Sequence, residues 1–208
     1  MEKKTVHEAL AELKVLNKRI YDKIETFEAC VANRASNKKI SGVDISDWKK
    51  DGRAAYKSIL DLIDRRNRIK KAVVLSNANT IVKIAGKELT VAEAIDMKQC
   101  GMEFKVSLYS AIRGQYDKAV SNCNLGNADL EERAEDYVAK MFNGGDRKID
   151  NEQTRAQRKD FIENNEYKVE EVINCKAEIN KLEEEIDAFV SEVDAALSVS
   201  NAVTFIEF

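Results

Sequence analysis

Arg65, Arg66, Arg68, Lys70 and Lys71 crowd into one short stretch, and Ser76, Asn77, Asn79 and Thr80 follow it closely. Guanidinium forks hold phosphate or carboxylate through paired hydrogen bonds, and Asn or Thr side chains read hydroxyls or a base edge. Helical spacing puts Arg65 and Arg68, or Arg66 and Lys70, on one face. The pattern points to a small anionic ligand of nucleotide type. Arg65, Arg66, Arg68 and Lys70 would be its charge partners, and Asn77, Asn79 and Thr80 its readers. A plainer reading stands beside it. Cations near a helix C-terminus complement the helix dipole, and these could pair with the acidic Glu183, Glu184, Glu185 and Asp187.

Other chemistry lacks parts. The single histidine, His7, sits in the first turn of an expected helix. No Cys–His dyad, His-Glu-x-x-His or Glu-x-x-His pattern occurs. Cys30, Cys100, Cys123 and Cys175 are scattered, without ligand spacing. Asn143-Gly144-Gly145-Asp146-Arg147-Lys148 lacks phosphate-loop spacing and reads as a helix stop. No catalytic residue, metal site or cofactor is assigned, and the chain reads as a non-enzyme.

The elements that would carry the cluster are long helices. Proline is absent, which suits uninterrupted helices. Thr5 and Glu8 form one expected capping box, and Thr90 and Glu93 another. A first seam runs Val6, Leu10, Leu13, Ile20, Ile24, Phe27, Val31, interrupted by Asn17, which reads as a buried register-setter. A connection over 36–48 leads to a second helix over about 46–75. Two β-like runs around Ala85-Gly86 predict a hairpin over about 80–90, with Ser76–Thr80 as its irregular lead-in. A third helix starts after Thr90 and ends near 122–126, and a shorter one spans about 127–142. The last long helix starts within 150–165. Its seam reads Val172, Cys175, Ile179, Leu182, Ile186, Phe189, Val193, Ala196. The end, SNAVTFIEF, predicts a strand over about 202–207, expected to join the hairpin in one small sheet.

The 208 residues are read as a single helical domain, with charged residues at 34% and hydrophobic residues at 44%. The net charge of −3 argues against a general nucleic-acid binder. No apolar run is long enough to span a membrane. The start carries no secretory pattern and the cysteines form no framework, so a cytoplasmic location is expected.

Three blocks resemble the septicolysin-like family of small bacterial and prophage-associated proteins: TVHEALAELKVLNKRI, LIDRRNRIKKAVVLSNANTIVKIAGKELTVAEAIDMK, and AEINKLEEEIDAFVSEVDAALSVSNAVTFIEF. Together they cover roughly two thirds of the chain. The resemblance implies a helical protein of essentially unassigned function. The haemolysin activity behind the family name has no support in this sequence. Where the family pattern is arginine-rich, at the start of the third helix, this chain has Ile95-Asp96-Met97-Lys98. The segment 122–165 reads as a family-variable insertion.

The reading is thus all-α: long antiparallel helices in a bundle or coiled-coil-like pack with a small β-element. The seams predict a homo-oligomer. The leading function is non-catalytic sequestration of a small anionic, nucleotide-type signal. The alternatives are a helical scaffold or partner-binding module, and an enzyme of unrecognised type.

Overall fold

The computed structural model describes residues 2–142 and 152–208, and the architecture is all-α with three small antiparallel strand pairs among those residues. The chain was read as one domain. Its internal contacts define two compact units, one of residues up to Cys100 with Ala188–Phe208, the other Gly101–Asp187.

In the first unit, β1 (Lys3–Thr5) enters α1 (Val6–Glu25). A connection holding β2 (Lys39–Ile40) and β3 (Val43–Asp44) leads to α2 (Ile45–Asn79), which is 35 residues long. The hairpin β4 (Ile81–Ile84) and β5 (Lys87–Thr90) then feeds α3 (Val91–Asp96) and a π-helical turn at Met97–Gly101. Both capping boxes form as expected. The Glu8 and Glu93 amides donate to the hydroxyls of Thr5 and Thr90, whose own amides donate back to the two carboxylates.

Helix α1 lies antiparallel on α2. Val6, Ala9, Leu13 and Leu16 meet Ile69 and Val73 in the core, and Phe27 stacks on Tyr56 at 5.9 Å beyond the end of α1. The buried stripe is therefore rotated from the expected seam. Leu10 is 40% exposed, Asn17 is exposed, and Phe27 and Val31 lie outside the helix. Ala9, fully buried, takes the place expected for Leu10 in a stripe of 6, 9, 13 and 16. Asn17 is not a buried register-setter.

The tail corrects a second expectation. It does not join the hairpin. β6 (Phe205–Glu207) pairs with β1, Lys4 opposite Ile206. Backbone bonds from Val6 N–H to the Thr204 carbonyl (2.9 Å) and from Phe208 N–H to the Glu2 carbonyl (3.2 Å) close the ends of the ladder. Ile206 then enters the α1–α2 core, 6% exposed, which supplies the reason for this pairing. Ala202 and Val203, expected in the strand, instead complete the last helix.

The two hairpins share a pattern, Lys39-Ile40-Ser41-Gly42 and Lys83-Ile84-Ala85-Gly86. Both turn through positive φ at two residues, 49° and 84° in the first, 50° and 74° in the second. That is the primed turn whose twist matches the strands. The Ala85 N–H donates to Glu192 Oε2 at 2.6 Å.

In the second unit, α4 (Met102–Asn127) is followed by α5 (Leu130–Met141) and α6 (Glu152–Asn165). The expected helix stop at Asn143-Gly144-Gly145 lies outside the described residues. The last expected helix is two: α6, then α7 (Cys175–Val203). Val172, placed on the seam, is fully exposed before α7 begins. Within α7 the seam holds, with Leu182, Phe189 and Val193 buried and Cys175, Ile179, Ile186 and Ala196 half-buried. Its first half runs along α4, where Lys105 bonds Glu185 and Tyr109 bonds Glu183. Tyr137 stacks on Phe161 at 4.8 Å to join α5 and α6.

Candidate functional site

The cluster chosen from the sequence rides on α2, and the fold disperses it. Arg65 is consumed. Its Nε donates to Glu12 at 2.6 Å and its Nη2 to Glu2 at 2.8 Å. Lys4 bonds the same two carboxylates at 2.6 and 2.8 Å, so two cations and two anions close a ring. The hydrogen bond from Arg65, then that from Lys4, holds the Glu12 carboxyl below its ordinary value. Lys4, then Arg65, does the same for Glu2. Phe208 covers the Arg65 guanidinium at 5.8 Å. A guanidinium with two carboxylates and a ring has little left for a ligand. This ring ties the N-terminal strand, α1, α2 and the tail together.

Arg66 donates to Asn17 at 3.3 Å and to Asn67 at 3.1 Å. Arg68, Lys70 and Lys71 are exposed. The readers lie elsewhere. Asn77 and Asn79 fall within the last turns of α2, not in irregular chain. Asn79 Nδ2 donates to the Leu75 carbonyl at 2.7 Å, as a helix-end residue does. The Thr80 amide closes α2 on the Ser76 carbonyl, and its carbonyl accepts from Val91. From Arg66 to Asn77 the helix rises about 16 Å. The expected charge partners and readers do not converge.

The cysteines are all free thiols. At Cys175, loss of solvation and the neighbouring Glu171 push the thiol above its ordinary value, which disfavours the nucleophilic thiolate. No group of three or more His, Cys, Asp or Glu able to hold a metal occurs among the described residues, and no described helix is long and apolar enough to cross a membrane.

One arrangement escaped the sequence reading. Lys50, Arg53, Lys57, Arg68 and Lys71 are all exposed on α2, and at 100° per residue they fall within about 60° of one another on the helix circumference. The buried Ile59, Ile69 and Val73 occupy the opposite side. Asp61, Asp64 and Asn67 share a shallow cleft with Arg68 and Lys71. A windowed charge count is the signal that could have found this stripe. Residues 14–71 hold sixteen Lys and Arg against eight Asp and Glu, a balance of +8 that the whole-chain value of −3 conceals.

No family model, curated protein or solved structure matches the chain. The likeness to the septicolysin-like family therefore stands on the quoted blocks alone.

Proposed function

We propose that this chain is a non-catalytic helical scaffold that assembles with copies of itself through exposed helix faces. The observation that carries this reading is the apolar stripe on α4. Phe104, Leu108 and Leu125 are 76%, 51% and 72% exposed. Phe104, Leu108 and Ala111 follow three-four spacing on a side of α4 distinct from the one facing α7, and Leu125 returns to that side about four turns further on. Large apolar side chains grouped at helical spacing mark association surfaces rather than solvated ones. The consumption of Arg65 and the separation of Arg66 from Asn77 weigh in the same direction, against a built anion pocket.

Light scattering and native mass spectrometry test it. The expected result is a closed oligomer at tens of micromolar protein, roughly the range where modest helix interfaces form. Phe104→Ser should lower the mass to the monomer while the circular dichroism stays helical. A wild-type monomer sinks the scaffold reading.

The small-anion reading keeps one supporting observation, the cleft where Arg68 and Lys71 lie beside Asn67, with Asp61 and Asp64 opposing them. Calorimetry against mono-, di- and cyclic nucleotides tests it. A sub-micromolar binder lost in Arg68→Ala supports it, and a silent panel with nothing co-purified ends it.

A further inference from the structure

We infer that the water-facing stripe of α2 is a docking surface for the phosphate backbone of a nucleic-acid duplex. This goes beyond the scaffold reading and rests on charge, not on the apolar stripe of α4.

The first observation is how differently the chain treats its cations. Within Gly101–Asp187, Lys105, Arg113, Arg133, Arg158, Lys159, Lys168 and Lys181 each face a carboxylate, and the cations without an ion pair among the described residues, Lys118, Lys140 and Lys176, are far apart in the chain. On α2, Lys50, Arg53, Lys57, Arg68 and Lys71 make no ion pair among the described residues, although Asp61 and Asp64 lie on the same side. Five cations against two carboxylates leave that face positive.

The second observation is geometric. Lys50 to Lys71 spans about 32 Å along α2, close to the ~34 Å of one duplex turn. One helix can therefore reach phosphates over the length of a turn.

The third concerns which polyanion fits. Single strands are held on aromatic platforms that stack bases. The stripe carries none: its apolar member is Leu60. Cations with no stacking group suit phosphate contacts along a duplex, which position a protein without reading sequence. A second copy of this chain is a poorer fit, because several of the carboxylates in Gly101–Asp187 already pair within that unit.

The test is fluorescence anisotropy of the full chain with a labelled duplex of mixed sequence and the matching single strand, across a salt series. Duplex binding should be favoured, with a log–log salt slope of about −4.5 if all five cations engage, or about 500-fold weaker binding at 200 than at 50 mM salt. The double variant Lys50→Glu/Lys57→Glu should flatten the slope to about −2.7. Its helical circular dichroism and melting should be unchanged, since both residues are exposed. Lys118→Glu, off the stripe, should bind as the wild type does. No binding at 50 mM salt, binding unaltered by the double reversal, or a clear preference for the single strand overturns the proposal. So does binding to anionic vesicles without binding to duplex. None of these outcomes alters the oligomer mass that tests the scaffold reading.

Discussion

Arg65 shows how a residue's chemistry is decided by neighbours far away in sequence. Its type and its place in a basic run advertised a ligand site. Its partners, Glu12 and Glu2, are 53 and 63 residues away, and no local pattern names them. Glu12 is the useful probe, because its side chain is only 18% exposed. A carboxylate whose pKa falls on folding stabilises the fold above its unfolded value, near 4.5, and that contribution is lost as pH drops through the folded value. Melting temperature should therefore fall as pH is taken from 6 to about 3, and fall less steeply in Glu12→Gln. At neutral pH the same substitution should cost about 1 kcal/mol, since both partners stay partly wet. That is a drop of about 2–4 °C. Parallel pH profiles for wild type and variant would remove the ring from the stability of the fold.

At the scale of elements, what was legible was local. The capping boxes at Thr5 and Thr90 each span four residues, and both form. The seam of α7 and the Ala85-Gly86 hairpin are repeats of short period, and they hold too. The partner of β6 was illegible because Lys3-Lys4-Thr5 has no strand pattern; it is extended because the capping box needs an extended entry and because Ile206 needs a core. Ile206→Ala should thus cost about 2–4 kcal/mol, as buried Ile truncations do. Amide exchange should quicken in β1 and α1 ahead of the hairpin Ile81–Thr90. If the hairpin opens first, the tail has been assigned to the wrong partner.

Gly126 allows a second prediction at this scale. A Cβ there would lie 2.6 Å from the Tyr167 ring, while Asn127 brackets the Tyr167 backbone, accepting from its N–H and donating to its carbonyl. Tyr167 is thus held by its backbone and seated over a missing side chain. Gly126→Ala should cost about 1 kcal/mol through this overpacking, and Gly126→Ala in a Tyr167→Ala background should cost nothing. Equal costs in both backgrounds would mean that the contact carries no energy.

For the whole molecule, the net charge of −3 is a difference between unlike regions. Residues 14–71 balance at +8, and residues 101–187, with thirteen Lys and Arg against twenty Asp and Glu, at −7. The two proposed surfaces should consequently answer salt in opposite ways. Apolar association through the Phe104 stripe is insensitive to added salt or strengthened by it, whereas phosphate contacts are released. Raising sodium chloride from about 50 to 500 mM should leave the oligomer mass intact while abolishing duplex binding. If mass and binding vanish together, a single electrostatic surface serves both.

The β1–β6 ladder also sets an order of events during synthesis. Its strands lie some two hundred residues apart in the chain, so at about 5–20 residues per second the ribosome delivers β6 roughly 10–40 s after β1. Through that interval α1 and α2 can meet, but the place of Ile206 beside Val6 and Ala9 stands open, and the Lys4–Arg65 ring lacks its Phe208 cover. The core around Val6 and Ala9 thus stays uncovered until residues 205–208 arrive, and apolar surface that the folded protein hides faces water throughout that interval.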